Sequence, residues 1–178
     1  SYGGVIFWDE TFAFSGRMDR FDFKLVGKKE MLVPYNVFGN TNTMLAKDVV
    51  GPKYVNPAAT RFEKHRVWVV DATRKATARH AYSRRTFYID EDCWCITTSE
   101  SYDSANNLYR VTQTNNFPTY DVGGVDMASW TTYDLIKGNY FIVNTFQKEP
   151  GNSVHAYETA EGLPINLTSQ AVAAAGVR

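Results

Sequence analysis

Four runs of alternating apolar and polar residues dominate the middle of the chain. Each run is rich in β-branched and aromatic side chains, which are typical of half-buried β-strands. Short segments containing Asp, Asn and Ser separate the runs, as expected for turns between antiparallel neighbours. The runs lie at residues 61–73, 80–90, 94–103 and 108–113. They predict four antiparallel strands in succession.

Shorter runs precede this block. Residues 19–26 alternate between apolar and charged side chains, which indicates a strand with one apolar face. The apolar positions of this run are Phe21, Phe23 and Leu25. Gly27 and Lys28 suggest a turn, and residues 29–35 a second strand that stops at Pro34. Residues 36–60, rich in Asn, Gly, Pro and Thr, form a long loop, and a lid and a surface excursion both remain open interpretations.

The C-terminal third predicts one more hairpin and a short helix. The hairpin consists of residues 130–136 and 140–146, and the Ala-rich helix of residues 170–175, capped by Thr168 or Ser169. The complete pattern predicts a mainly β fold, namely a strongly curved antiparallel sheet with few helices. Residues 1–178 would form a single domain or a fragment of a larger one.

Composition narrows the classes of function. The chain has 178 residues, 44% of them apolar and 15% aromatic, and 19 basic side chains balance 19 acidic ones. Residues 61–85 hold eight basic and two acidic residues. Arg84 and Arg85 are neighbours in a strand and would point to opposite faces, so these charges would not form one basic surface. No nucleic acid is therefore expected as a partner. No apolar run is long enough to predict a membrane-spanning helix. The chain begins at Ser1 rather than at Met, so the removal of a leader or of a whole N-terminal region stays an open interpretation.

Candidate chemistry is sparse. His65, His80 and His155 are scattered without metal-ligand spacing, so no metal site and no cofactor is predicted. No nucleophile motif or phosphate-binding loop occurs, and no catalytic residue is assigned. Residues 90–92, Asp-Glu-Asp, suggest an exposed turn. Cys93 and Cys95 are expected to be partly buried free thiols, because an extended strand would strain a disulfide between them.

The remaining feature is a sheet with an unusually aromatic inner face. If the curved sheet does not close on itself, helices, another chain or an apolar ligand must cover that face. An ordinary packed core is an equally open interpretation. The candidate pocket residues, taken from the alternation, are Phe21, Phe23, Leu25, Trp68, Val70, Phe87, Ile89 and Trp94.

Several segments together resemble a known family. They are the Phe-Ser-Gly of 14–16, the run Arg-Phe-Asp-Phe-Lys-Leu-Val-Gly-Lys-Lys-Glu-Met of 20–31, Val-Pro-Tyr-Asn of 33–36, His-Arg-Val-Trp-Val-Val of 65–70, and residues 84–94. The chain resembles a domain-of-unknown-function family of bacterial cell-envelope proteins related to the outer-membrane lipoprotein-sorting carriers (LolA/LolB-like). Cys93 and Cys95 depart from the family, where small or polar residues are commoner, and so does the Ala-rich final helix, where the family is basic.

The resemblance implies a half-open β-barrel, of which this chain would be a C-terminal portion. It also implies a periplasmic or outer-membrane-associated protein that binds or carries a lipid-like molecule without catalysis. Arg66, Arg84 and Arg85 are the candidates for contacting an anionic headgroup. One alternative is an interaction module that docks onto an envelope transporter or outer-membrane partner through a strand edge, and another is an envelope hydrolase. Open strand edges would also favour self-association.

Overall fold

The computed structural model of the chain describes residues 4, 6–120, 123–143, 146, 148–150 and 168–175. These residues contain one sheet of seven strands whose spatial order follows the chain order, with every neighbouring pair antiparallel. The strands are β1 Phe21–Pro34, β2 Phe62–Arg74, β3 Arg84–Asp90, β4 Ile96–Tyr102, β5 Leu108–Pro118, β6 Val125–Asp134 and β7 Asn139–Val143. Within this described part, β1 and β7 do not pair with each other, so the sheet is open. The predicted mainly β, antiparallel, unclosed fold is confirmed.

Helical segments are short. Two α-helices, α1 Ala46–Val49 and α2 Ser169–Ala175, accompany 3₁₀ turns at Trp8–Ala13, Met18–Arg20 and Pro57–Ala59 and one π-helical turn at Gly39–Thr43. The hydroxyl of Thr168 accepts a hydrogen bond from the amide of Ala171, which confirms Thr168 as the cap of the final helix. None of the helices in the described ranges is long and apolar enough to cross a membrane.

Strand β1 is one continuous strand, and the prediction of two strands with a turn at residues 27–28 is wrong. The pairing of β1 with β2 shifts register between Leu25 and Gly27. Gly27 has φ +153°, a conformation that side chains rarely adopt, so the glycine allows a bulge rather than a reversal of the chain.

The register separates the sheet into two faces. Leu25 lies opposite Val70, Val70 opposite Phe87, Phe87 opposite Ser99 and Ser99 opposite Thr112, so side chains of this row share one face. Residues 6–16, called the strap, pack on that face. Phe14 of the strap contacts Phe21, Phe23 and Phe87, and Phe12 contacts Trp130. This side is called the strap face.

The opposite side, called the loop face, is covered in part by residues 36–60. Val49, Val55 and Ala59 of this segment form a buried cluster against Tyr140 and Ile142 of β7. The Tyr140 hydroxyl donates a hydrogen bond to the carbonyl of Gly51 at 2.6 Å. The long polar segment is therefore a packed cover of the sheet, with its own buried core.

Candidate functional site

The predicted pocket residues on the strands share the strap face. Leu25 is opposite Val70 and Trp68 is opposite Ile89 in the register, and Phe87 lies beside Val70. Phe23 is two positions from Leu25 and therefore points to the same side. Strand alternation thus brought these side chains together as the sequence suggested, whereas their binding role stays a prediction.

Their exposure divides them into two groups. Phe21 and Phe87 are each only 3% exposed, because Phe14 of the strap packs against both rings. Phe23, Leu25 and Trp94 are 39%, 58% and 71% exposed, and Trp68, Val70 and Ile89 are half-buried. The six residues that keep at least part of their side chain exposed are called the apolar patch: Phe23, Leu25, Trp68, Val70, Ile89 and Trp94. Phe21 and Phe87 belong to the core beneath the strap.

Trp94 joins the patch from a turn, not from a strand as predicted. Its φ is +56°, a left-handed conformation that ends the extended chain between β3 and β4. The indole stacks on Trp68 with ring centroids 6.4 Å apart and planes inclined by 26°. This turn extends the patch beyond the end of β3.

The same turn overturns the expectation of free thiols. Cys93 and Cys95 form a disulfide, with Cα atoms 5.2 Å apart. In an extended strand their Cα atoms would be roughly 6.6 Å apart, with the bond vectors parallel. The left-handed Trp94 shortens this separation into the middle of the range of disulfides. The prediction failed because it placed both cysteines on a regular strand.

Two cations border the patch beside Trp68. The Lys28 ammonium lies 3.9 Å from the centre of the Trp68 ring, a cation–π contact. Lys28 and Arg66 each donate to Glu91, at 2.8 and 2.6 Å. These two hydrogen bonds hold the pKa of Glu91 below its usual range. Arg66, one of the predicted headgroup residues, therefore lies beside the patch, and Lys28 is a second cation there that the sequence pattern did not single out. Their binding of a headgroup stays a prediction.

The other two predicted headgroup residues lie elsewhere. Arg85 is fully buried, where it donates to the carboxylate of Asp9 at 3.0 Å and to the carbonyl of Ala13 at 2.8 Å. The Arg84 guanidinium stacks on the Tyr102 ring at 3.6 Å, on the loop face. Arg85 therefore anchors the strap, and in this structure it is closed to an external headgroup.

The part of the strap face over β4–β6 is polar and closed, which sequence reasoning missed. Glu10 of the strap, Tyr82, Arg110 and Asp134 are all at most 1% exposed. Arg110 donates to Glu10 at 3.1 Å and to Asp134 at 3.3 Å, and the Tyr82 hydroxyl donates to Glu10. Burial, followed by the charge of Glu10, raises the pKa of Tyr82. These four residues are called the ionic core.

A second ion cluster fastens the strap beside the ionic core. Asp9 accepts hydrogen bonds from Arg85 and from the His80 ring, the latter at 2.9 Å. Burial tends to raise the pKa of Asp9, but the His80 hydrogen bond and the Arg85 charge outweigh it and lower the pKa. His80 is thus a hydrogen-bond partner of the strap, with a side chain that is only 7% exposed.

The acidic turn is only partly exposed, contrary to expectation. Asp90 is fully buried, and its carboxylate accepts hydrogen bonds from the amides of Asp92 and Cys93. The His65 ring lies 2.6 Å from the same carboxylate. Asp90 is buried because it caps the turn and pairs with a histidine 25 positions earlier, a partnership that only the β2–β3 register reveals.

Comparisons with known proteins confirm the resemblance to a domain-of-unknown-function family. A family model described as "Protein of unknown function (DUF1329)" matches residues 1–173. The uncharacterized protein PA3922 of Pseudomonas aeruginosa is 36% identical over 166 residues, which are 93% of this chain and 36% of that protein.

Two solved structures are also similar. A DUF1329 family protein from Desulfovibrio piger matches with a TM-score of 0.48 and 13% identity, covering 76% of this chain and 43% of that one. A domain from Vibrio parahaemolyticus, described provisionally as an outer membrane lipoprotein-sorting protein, matches with a TM-score of 0.46 and 11% identity, covering 74% and 42%. The chain thus spans less than half the length of these relatives. By its match over residues 1–173, it belongs to the DUF1329 family.

Proposed function

We propose that the protein binds a lipid-like molecule with an anionic headgroup on the apolar patch, as a non-enzymatic carrier of the cell envelope. The observation that supports this most is that one half of the strap face is sealed while the adjoining half exposes aromatic and aliphatic side chains. An exposed cluster of this kind on a folded surface marks a site for an apolar partner.

An alkyl chain fits the chemistry of the patch. Leu25 and Phe23 offer hydrocarbon surface, and the stacked Trp68 and Trp94 offer a flat indole wall. Each 100 Å² of apolar surface removed from water contributes about 2.5 kcal/mol. All six patch side chains are hydrocarbon or indole, so they bind but supply no acid, base or nucleophile.

An anionic headgroup fits the border of the patch. Lys28 and Arg66 lie beside Trp68 and share a single carboxylate, that of Glu91. Two cations around one anion leave a net positive charge where the polar end of a ligand would lie. A carboxylate or phosphate there could accept hydrogen bonds from both residues.

The disulfide supports an envelope location for this function. Disulfides persist in oxidising compartments such as the bacterial periplasm and are rare in the cytosol. The Cys93–Cys95 bond lies in the turn that carries Trp94 of the patch. A periplasmic or outer-membrane-associated carrier is consistent with that chemistry.

A titration with a fluorescent fatty acid tests the proposal. Leu25→Asp places a charge in the centre of the patch and should weaken binding at least about tenfold. Burying a carboxylate against an alkyl chain costs more than about 1.4 kcal/mol of binding free energy, which corresponds to that factor. Leu32→Asp is the matched control, because Leu32 is another largely exposed leucine of β1 and lies outside the patch. Equal affinities of the Leu25→Asp variant and the wild type would overturn the proposal.

Docking onto an envelope protein is the second candidate function, and the edge of β1 favours it. This strand is 14 residues long and pairs only with β2 among the strands that the structure describes. Its outer edge offers backbone groups to a partner strand. Non-specific pairing at this edge is discouraged by the bulge at Gly27 and by three lysines of the strand, Lys24, Lys28 and Lys29. A ligand-free protein that forms a stable complex with an envelope protein would favour this second candidate. The predicted self-association would use the same open strand edge.

A further inference from the structure

A second site lies on the loop face, away from the apolar patch. His65 of β2, Asp90 at the end of β3 and Asp92 in the following turn bring one nitrogen and two carboxylate oxygens within 4.8 Å of one another. Val67 is opposite Asp90 in the register, and His65 is two positions from Val67, so strand pairing itself places His65 beside Asp90. The juxtaposition is built into the sheet.

Neighbouring groups hold these side chains in place. The Asp90 carboxylate is fixed by two backbone amides, at 3.0 and 3.1 Å. The Tyr35 ring packs on the His65 ring with centroids 4.1 Å apart. Glu63 lies 3.6 Å from the second ring nitrogen of His65 and is itself held by Asn36 at 2.7 Å. Hydrogen-bonded carboxylates around a histidine are the outer support that metal ligands in proteins usually have.

The charges of this cluster are unbalanced. Glu63, Asp90 and Asp92 are three carboxylates, and Arg61 pairs with Glu63. The carboxylate of Asp92 has no ion pair among the described residues, and it is exposed, so the cluster is accessible from solvent. The fully buried Asp90 carboxylate accepts hydrogen bonds from two amides and contacts the His65 ring, which compensates its burial. The neighbouring Asp92 carboxylate has no such partner among the described residues, and a divalent cation would balance its charge.

We propose that His65, Asp90 and Asp92 bind a divalent transition-metal ion of the zinc class. One imidazole nitrogen with carboxylate oxygens suits zinc and its neighbours, whereas calcium and magnesium prefer oxygen ligands alone. Water would complete the coordination on the exposed side of Asp92. The ion would tie β2 to the turn between β3 and β4, which ends in the disulfide and Trp94.

Isothermal titration of the metal-stripped full chain with Zn²⁺ alone tests this site. The wild type should bind one equivalent, and Asp92→Asn should weaken binding at least about tenfold, as the loss of a supporting or direct ligand commonly does. Asp92 is exposed, so this variant should fold, which circular dichroism verifies. Asp48→Asn, another exposed aspartate outside the cluster, is the matched control and should bind as the wild type does.

The absorption spectrum of bound Co²⁺, measured on two proteins, tests the histidine ligand. Co²⁺ should give the visible absorption of a nitrogen- and oxygen-ligated ion with the wild type, and this absorption should disappear with His65→Asn. Absence of saturable zinc binding in the wild type would overturn the proposal, and so would an unchanged affinity in Asp92→Asn. Either result would leave the His65–Asp90 contact as a hydrogen bond that joins two strands.

Discussion

The strap face is closed over β4–β6 and over Phe21 and Phe87, and it is open over the apolar patch on the rest of β1–β3. The closed and open halves are made largely of different residues. The closed half carries Ser99, Thr112 and Thr132 together with the ionic core, all buried under the strap. The open half carries the apolar patch, with Leu25 and Trp94 more than half exposed. This is the reverse of what burial alone would favour, since apolar side chains normally lie inside and charges outside.

The closed half fixes the position of the strap, whereas the open half is the proposed binding surface. Buried charges contribute little net stability but require one particular set of partners, so they fix where the strap lies. Exposed apolar side chains gain no stability from contact with water, and under the proposed function a lipid-like ligand covers those of the apolar patch. Changes in the closed half should therefore affect folding, and changes in the open half should affect binding.

The largest expected effect follows from Arg110→Ala in the ionic core. The substitution leaves Glu10 and Asp134 buried without their guanidinium partner and should lower the free energy of unfolding by about 3–5 kcal/mol. Urea denaturation measures this. Arg66→Ala, which breaks an ion pair at the exposed border of the patch, should cost at most about 1 kcal/mol. Similar losses in the two variants would contradict the distinction between the halves.

A somewhat smaller effect is expected from Phe14→Ala at the boundary between the halves. Phe14 is the ring that covers Phe21 and Phe87, so its removal should cost roughly 3 kcal/mol and expose both rings. Thermal unfolding measures the loss. Phe12→Ala is the comparison, because Phe12 is 47% exposed and should cost less. If Phe12→Ala were the more damaging change, Phe14 would not be the main apolar anchor of the strap.

Acid should loosen the strap through Asp9. Its pKa is lowered in the folded state, so the stabilisation it contributes is fully present above the pKa of an unfolded Asp, about 3.9, and is lost as the pH falls through the lower folded value. The stability difference between the wild type and Asp9→Asn should therefore shrink as the pH falls below about 4. Denaturation at a series of pH values measures it, and a difference that grows in acid would contradict the assignment.

The smallest effect is expected from the disulfide. Because the bond between Cys93 and Cys95 closes a very short loop, its removal should cost roughly 1.5 kcal/mol or less. A thiol assay on the denatured, unreduced protein should find no free thiol, and two after reduction. Two reactive thiols before reduction would restore the sequence expectation. Reduction should also weaken ligand binding modestly, since the turn holds Trp94 against Trp68.

How far the sequence predicts this molecule depends on how local each feature is. The period-2 alternation around Phe23 and Leu25 predicted both the strand and the shared face, because alternation is a property of consecutive residues. Gly27 was interpreted as a turn, since glycine permits a turn and a bulge equally and only the pairing with β2 distinguishes them. The long segment 36–60 carries only weak apolar content, at Met44–Val50, and this was too little to predict the buried cluster that it contains.

The ionic core and the His65–Asp90 pair lay beyond the reach of sequence patterns. Glu10 and Arg110 are 100 positions apart, and a lone charge in a strand run looks like an ordinary solvent-facing residue. The covered face of the sheet is the one on which the strap packs. Residues 6–16 show no periodicity from which that face could be predicted. The sequence therefore predicted which side chains share a face of the sheet. Only the structure showed which segment covers each face and which charged residues pair.

Native mass spectrometry of gently purified full-length protein, with solvent extraction of anything bound, would show whether the apolar patch holds a ligand. We expect a stoichiometric lipid-like adduct in the wild type that is absent from Leu25→Asp and retained in Leu32→Asp. An adduct that persists unchanged in Leu25→Asp, or a wild type that stays ligand-free when incubated with anionic lipid, would contradict a ligand-binding role for the apolar patch.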